Sequence, residues 1–150
     1  MDKTSKARRS VNMSKIRSKD TSPEIFIRKA LHQRNLRFRV NYKAIAGTPD
    51  LYFTRNPTAV FINGCFWHRH PNCQDATTPK TNSEFWQKKF SVNIQRDVRT
   101  IATLKATGIR ILIIWECTIK KMMKSQPFCD EMLEVIIQFI KSNDFDYLEI

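Results

Sequence analysis

Apolar residues in this chain of 150 residues fall into blocks whose spacing changes from one block to the next. Ser22-Pro23-Glu24 reads as a helix start. Ser22 is the expected N-cap, Pro23 takes the first helical position, and Glu24 meets the positive end of the helix dipole. Ile27, Ala30 and Leu31 give that helix an inward face, which fades near Arg34 and Asn35. Leu36, Phe38 and Val40 then alternate with Arg37 and Arg39, the period of a half-buried strand. Leu51 to Thr54 and Thr58 to Ile62 predict two more strands, joined by the short turn Arg55-Asn56-Pro57.

Thr81-Asn82-Ser83-Glu84 fits a capping box. The helix it opens turns Phe90, Ile94, Ile101 and Leu104 inward and stops at Gly108. Ile109 to Trp115 is nearly all apolar, so it predicts a central strand covered on both faces. A last helix from Pro127 sets Met132, Val135, Ile136, Phe139 and Ile140 at helical spacing. Residues 1–20 are different: Lys, Arg and Ser dominate, with Val11, Met13 and Ile16 as the sizeable apolar residues. They predict a basic N-terminal arm, partly helical near Asn12–Ile16, that orders on its partner; residues 21–150 form the domain proper. The fold class is α/β, a mixed sheet flanked by helices.

Charge sharpens the picture. The net charge is +12, yet residues 130–150 hold six acids and one Lys, while the rest carries 25 Lys+Arg against 8 acids. So lopsided an excess fits a polyanion, and nucleic acid suits it better than a membrane surface because no basic amphipathic helix stands out. No apolar run reaches bilayer length and no signal segment is evident, so a cytoplasmic protein is expected. In that compartment its four cysteines are thiols or metal ligands rather than a disulfide framework.

Two of those cysteines and two of the three histidines crowd into Asn63-Gly64-Cys65-Phe66-Trp67-His68-Arg69-His70-Pro71-Asn72-Cys73. Cys65, His70, Cys73 and Cys117 make a tetrahedral three-Cys, one-His set of the kind structural zinc prefers, with His68 and Cys129 as rival ligands. The adjacent rings of Phe66 and Trp67 would then be presented outward from a metal-fixed loop.

Asp50, in Gly47-Thr48-Pro49-Asp50-Leu51, sits at the mouth of a strand, where Mg²⁺-dependent nucleases place a metal-binding carboxylate. The next strand offers Phe61-Ile62-Asn63 in place of a second acid, so a backbone carbonyl, that of Ile62, is the expected second ligand. His68 is the histidine left over from the zinc set and the candidate for activating water. Asp97 falls on the inward face of the long helix and needs a cation, a metal water or an Arg there. Glu24 could reach the same site, although helix capping accounts for it equally well.

These motifs, Pro49-Asp50, Gly64-Cys65-Phe66-Trp67-His68, Glu84-Phe85-Trp86 and Trp115-Glu116-Cys117, resemble the very-short-patch repair (Vsr) mismatch endonucleases. The resemblance spans roughly residues 8 to 120, including the Asn12-Met13 arm. It implies a restriction-endonuclease-like fold and Mg²⁺-dependent nicking of one strand on the 5′ side of the mispaired T in a T·G mismatch. Such mismatches arise by deamination of 5-methylcytosine. It also implies that Asp50 and the Ile62 main chain hold magnesium, that His68 takes the catalytic-histidine position, and that Cys65, His70, Cys73 and Cys117 hold zinc. Phe66, Trp67 and Trp86 look like the family's aromatic wedge, and Met13 and Arg17 join the DNA-binding residues of the arm. Asn63 stands where the best-known family pattern has a second histidine, and Arg69 with Pro71-Asn72 alters the zinc loop. A monomer acting on double-stranded DNA is expected, with a functional link to a cytosine-5 DNA methyltransferase and repair proteins. The alternatives are a restriction endonuclease cutting both strands, usually as a dimer, and a zinc-containing DNA-binding protein without catalysis.

Overall fold

The computed structural model describes residues 5–14, 16 and 18–150. Its elements are α1 (Lys6–Ser14), α2 (Ser22–Gln33), β1 (Arg39–Val40), β2 (Leu51–Phe53), β3 (Thr58–Asn63), α3 (Ser83–Ala106), β4 (Arg110–Trp115), α4 (Glu116–Lys124), α5 (Gln126–Lys141) and β5 (Tyr147–Glu149). The strands form one mixed sheet in the order β1-β2-β3-β4-β5. β1 to β3 pair antiparallel, whereas β3, β4 and β5 run parallel. Parallel neighbours need a crossover: α3 supplies it between β3 and β4, and α4 with α5 supply it between β4 and β5.

β4 is buried along its whole length and divides its side chains between two cores. Leu112 and Ile114 pack with Ile27 and Leu31 of α2, Ile119 of α4 and Ile136 of α5. Ile111, Ile113 and Trp115 point the other way, toward Leu104 of α3 and Cys65. Helices thus cover both faces, and each Leu or Ile so buried contributes roughly 1.5–3 kcal/mol. This is the mixed α/β sheet flanked by helices that the sequence pattern predicts.

Several local expectations are corrected. Thr21, not Ser22, is the N-cap of α2: Thr21 is extended and its Oγ1 accepts from Glu24 N at 3.5 Å, while Ser22 is already helical. The capping box before α3 does not form, because Asn82 is left-handed (φ 54°) and makes no side-chain cap bond. Ile94 is 45% exposed, one residue off the inward stripe that runs through Phe90, Asn93 and Leu104. The arm helix begins earlier than Asn12, at Lys6, where Ser5 Oγ accepts from Arg8 N at 3.3 Å. Leu36 and Phe38 pack on the core as the alternation requires, but only Arg39 and Val40 pair as a strand, and Val40 is exposed. Periodicity did not foresee α4, with two buried residues, or the three-residue β5.

Arg110 opens β4 deep inside the protein and closes the far end of α5. Its guanidinium donates to the carbonyls of Phe139, Ile140 and Phe145 and to Thr58 Oγ1, and it lies 4.3 Å over the Phe139 ring. Asn56 Nδ2 donates to Ile140 O at 3.0 Å beside it. Arg110→Ala should therefore strand buried carbonyls and cost about 3 kcal/mol. A urea titration should show an earlier midpoint with an unchanged slope.

Candidate active site

β3 carries both halves of the site on opposite edges. On the β2 edge, Ile62 N donates to Asp50 Oδ2 at 2.7 Å. In an extended strand the N–H and C=O of one residue lie on the same edge, so the Ile62 carbonyl also faces Asp50. Burial pushes the Asp50 carboxyl up to about 6, and the neighbouring Glu24 charge adds to that. The Ile62 N–H, Arg28 and His68 oppose the rise. A desolvated acid facing a second acid is the electrostatic setting a cation relieves.

Glu24 is buried at the same cleft. Its Oε2 accepts from Asp20 N at 2.8 Å and from Arg28 Nη2 at 3.1 Å, and Arg28 also pairs with Asp20 at 2.6 Å. Glu24 therefore has a fixed orientation at this cleft, and its bond to Asp20 N also ties down the start of α2. Sequence reading passed over Arg28, although Glu24 and Arg28 stand four apart on one helix, the spacing of a facing ion pair. Glu24, Ile62 and His68 line a common cleft of ≈ 520 Å³.

His68 comes from the turn that follows β3, where its own N–H donates to Gly64 O at 3.1 Å. His68 Nδ1 lies 2.6 Å from Asp97 Oδ2. An ionised carboxylate only accepts, so Nδ1 carries the proton and Nε2 is left as the basic nitrogen. Asp97 thus has a histidine for its near partner; Arg96, the Arg alternative, stands off at 3.7 Å. Asn63 is 8% exposed, lines a recess of ≈ 360 Å³ with His68 and Asp97, and makes no side-chain hydrogen bond among the described residues.

On the β4 edge the register Asn63↔Trp115 brings the continuations of the two strands level, and with them Cys65 and Cys117. Ligand atoms of Cys65, His70, Cys73 and Cys117 all lie within 4.8 Å of one another. His70 Nδ1 is 3.6 Å from Cys65 Sγ and 3.4 Å from Cys117 Sγ. A tetrahedral ion with bonds of about 2.3 Å to sulfur and 2.0–2.1 Å to nitrogen separates such ligands by roughly 3.5 Å. These four residues can therefore hold a metal. Burial, with Cys117 and Cys73 close by, pushes the metal-free Cys65 thiol up to about 12. A bound cation would instead favour the thiolate. The rivals are excluded: His68 is engaged with Asp97, and Cys129 lies in the α5 core. Arg69 (φ 55°) and Asn72 (φ 57°) adopt left-handed backbone within this loop.

The same loop carries the rings. Phe66 packs edge-on against Trp67, Trp86 and Phe90 at centroid distances of 5.1, 5.4 and 5.3 Å. Phe66, Trp67 and Trp86 are half-buried, and Phe85 is 56% exposed beside them. Lys89 Nζ stands 5.5 Å over the Trp67 ring, and Asn93 Nδ2 donates to Trp67 O at 3.1 Å. Arg69 ties the loop together, donating to Phe66 O, Thr77 O, Ala76 O and Thr78 Oγ1 with its guanidinium 4.0 Å over Phe90. Across a groove of ≈ 880 Å³, Phe66, Phe85 and Trp86 face α1, with Met13 on the opposite wall, while Trp67 lines the cleft of Glu24, Ile62 and His68. Arg17 lies outside the described residues.

Compared with known proteins, residues 1–75 match the family model described as DNA mismatch endonuclease Vsr. The chain belongs to the Vsr family of DNA mismatch endonucleases. It is 37% identical over 135 residues to the type II nicking enzyme V.NmeAIP of Neisseria meningitidis, covering 90% of this chain and 93% of that protein. It is 39% identical over 115 residues to the DNA mismatch endonuclease Vsr of Escherichia coli, covering 77% and 73%. The type II nicking enzyme V.XorIIP of Xanthomonas oryzae is 38% identical over 121 residues, covering 81% and 88%. The Vsr family is restriction-endonuclease-like, in keeping with the mixed sheet described above. Among the described residues no helix is long and apolar enough to cross a membrane.

The Cys/His cluster yields a direct prediction. The protein should carry one tightly held metal ion per chain, and Cys117→Ala should lose it together with much of the thermal stability, because such sites contribute directly to folding. Metal analysis with a melting curve tests this; a folded, active preparation free of metal would refute it.

Proposed function

We propose that the protein nicks one strand of duplex DNA on the 5′ side of the mispaired T in a T·G mismatch, of the kind left by deamination of 5-methylcytosine. The observation that carries this reading is the Asp50 carboxylate, fixed by Ile62 N–H beside the cleft that Glu24, Ile62 and His68 line, with His68 in turn paired to Asp97. A zinc-containing binding protein without catalysis has no use for that grouping. The names of relatives, a mismatch endonuclease and nicking enzymes, support hydrolysis of a single strand.

Asp50 and the Ile62 carbonyl would hold Mg²⁺, a hard cation suited to oxygen ligands. Bound there, it would polarise the scissile phosphate and favour the ionised form of nearby water. His68, its Nδ1 proton shared with Asp97, accepts the proton of the attacking water at Nε2. Asp97 holds the imidazole in the tautomer and orientation that this transfer requires. Glu24, facing the same cleft, would accept hydrogen bonds from water of a bound cation. Asn63 donates a hydrogen bond to the phosphate region but carries no proton at neutral pH. Zinc held by Cys65, His70, Cys73 and Cys117 would be structural, since these four side chains would complete its usual coordination.

Phe66, Trp67 and Trp86 enter the duplex beside the mismatch, where unstacking a base step costs a few kcal/mol and stacking on exposed rings offsets it. Met13 meets the duplex from α1, with Arg17 among the basic residues that contact phosphate. The protein works as a monomer in the bacterial cytoplasm, in a functional link with a cytosine-5 DNA methyltransferase and repair proteins.

Strand-specific cleavage of T·G and C·G duplexes, with Mg²⁺ or EDTA, tests the reading. Only the T·G duplex with Mg²⁺ should be nicked; cutting of both strands in the matched duplex would favour a restriction enzyme. Asp50→Asn should abolish nicking while leaving DNA affinity nearly intact, because phosphate contacts supply most of that affinity. Trp67→Ala should narrow the preference for mismatched over matched DNA by about tenfold or more, since each base–aromatic stack is worth roughly 1–3 kcal/mol. Equal losses on the two duplexes would instead make Trp67 a packing residue.

A further inference from the structure

Beside His68, on the α3 side, lies the recess of ≈ 360 Å³ whose polar walls are Thr48, Asn63, His68, Arg96, Asp97 and Thr100. Gly47 brings the Thr48 loop against α3: it adopts φ +80°, and a Cβ there would stand 2.3 Å from Thr100 Cγ2. That close approach makes the recess a walled feature of the fold. Asn63 is nine-tenths buried, yet its amide meets no hydrogen-bond partner among the described residues. The amide atoms are not sealed away but open onto the recess, where they can donate to a group that enters it.

Arg96 stands at the rim. Its side chain is 56% exposed, and among the described residues its one ion-pair contact, to Asp97 Oδ1, is 3.7 Å, beyond hydrogen-bond length. Asp97 has no need of it, because His68 already holds Oδ2 at 2.6 Å. The guanidinium is therefore available for a planar oxyanion, the group its fork of N–H donors fits best. Within this wall it is also the permanent cation, Asn63 being neutral.

We propose that this recess receives a backbone phosphate of the nicked strand adjacent to the scissile one, with Arg96 as its charged partner and the Asn63 amide as a second donor. The inference rests on the nicking reading above and adds to it a specific contact. Arg96 supplies the positive charge that Asn63 does not, so the strand is pinned on both sides of His68.

The test compares wild type, Arg96→Ala and Arg96→Lys on T·G duplexes in which the phosphates flanking the scissile bond are replaced, one at a time, by neutral methylphosphonates. Arg96→Ala should lower kcat/KM on the unmodified duplex by on the order of tenfold, the usual worth of a charge-assisted hydrogen bond. Arg96→Lys should recover part of the loss, because it keeps the charge and not the fork. At one flanking position the neutral substitution should cost wild type a similar factor and cost Arg96→Ala nothing more. Should the Arg96→Ala deficit persist undiminished on every modified duplex, Arg96 acts through Asp97 and the proposal fails. Binding gives a readout that does not depend on cleavage. The slope of log affinity against log salt should fall by about one for Arg96→Ala, and an unchanged slope would also overturn the contact. If wild type nicks no T·G duplex while the slope still falls, the nicking reading fails and the phosphate contact stands.

Discussion

The parallel register between β3 and β4 is the constraint on which the rest of the site depends. Pairing Asn63 with Trp115 sets the two strand ends level, so the chain leaves both at the same height, through Gly64-Cys65 on one side and Glu116-Cys117 on the other. Two residues 52 positions apart in sequence thereby become neighbours in a cluster that can hold a metal. A slip of one residue would move one cysteine off level and also turn the alternating side chains of β4 to the wrong cores. The hydrophobic cost of that inversion protects the ligand geometry. Metal site and core are thus specified by one pairing, and β3 uses its opposite edge to hold Asp50 through Ile62.

The loop between Gly64 and Thr78 then needs fixing at both ends. The Cys/His set fixes the first part, with the His70 ring stacked 4.1 Å from Trp115 at the end of β4. Arg69 fixes the second part, collecting three backbone carbonyls and a hydroxyl that would otherwise have to find water. Between these two anchors lie the half-buried rings, with Asn93 of α3 holding the Trp67 carbonyl. The rings are accessible because the backbone, rather than their own burial, keeps them in place. Rigid support of this kind suits a wedge, since ordering entropy is met on folding and not on binding.

How far the site could be read from sequence follows the same division. The metal ligands were legible because soft donors in such density have few other uses, and the ring cluster because Phe-Trp is costly in a loop. Asp97 could be flagged as an acid on an inward face, but its partner could not be named: His68 lies 29 residues earlier and arrives only through the turn after β3. Short elements escaped for a physical reason. β5 has three residues and α4 buries Ile119 and Met122, too few positions for a period to emerge. The failed cap at Asn82 illustrates the limit of local rules, since a left-handed backbone there overrides a matching side-chain pattern. Arg110 and Arg69 look like ordinary surface charges in the sequence and are recognised only from the carbonyls that surround them.

Charge and shape are carried by separate parts of the fold. The acids of residues 130–150 lie in and after α5, and no residue of α5 or β5 lines the ring groove or the His68 clefts. The basic residues that line the ring groove are Lys6 and Arg9 of α1 and Lys80 just before α3. Such an arrangement orients a polyanion toward the rings before any specific contact forms. Phosphate neutralisation is the same for every sequence, whereas insertion of a ring is easier where a base step is already weakened. On the proposed reading, affinity and discrimination therefore draw on different residues. On the proposed nicking reading, the basic elements engage DNA generally, and stable engagement of the rings, with alignment of His68 and Asp50, is reserved for a distorted step.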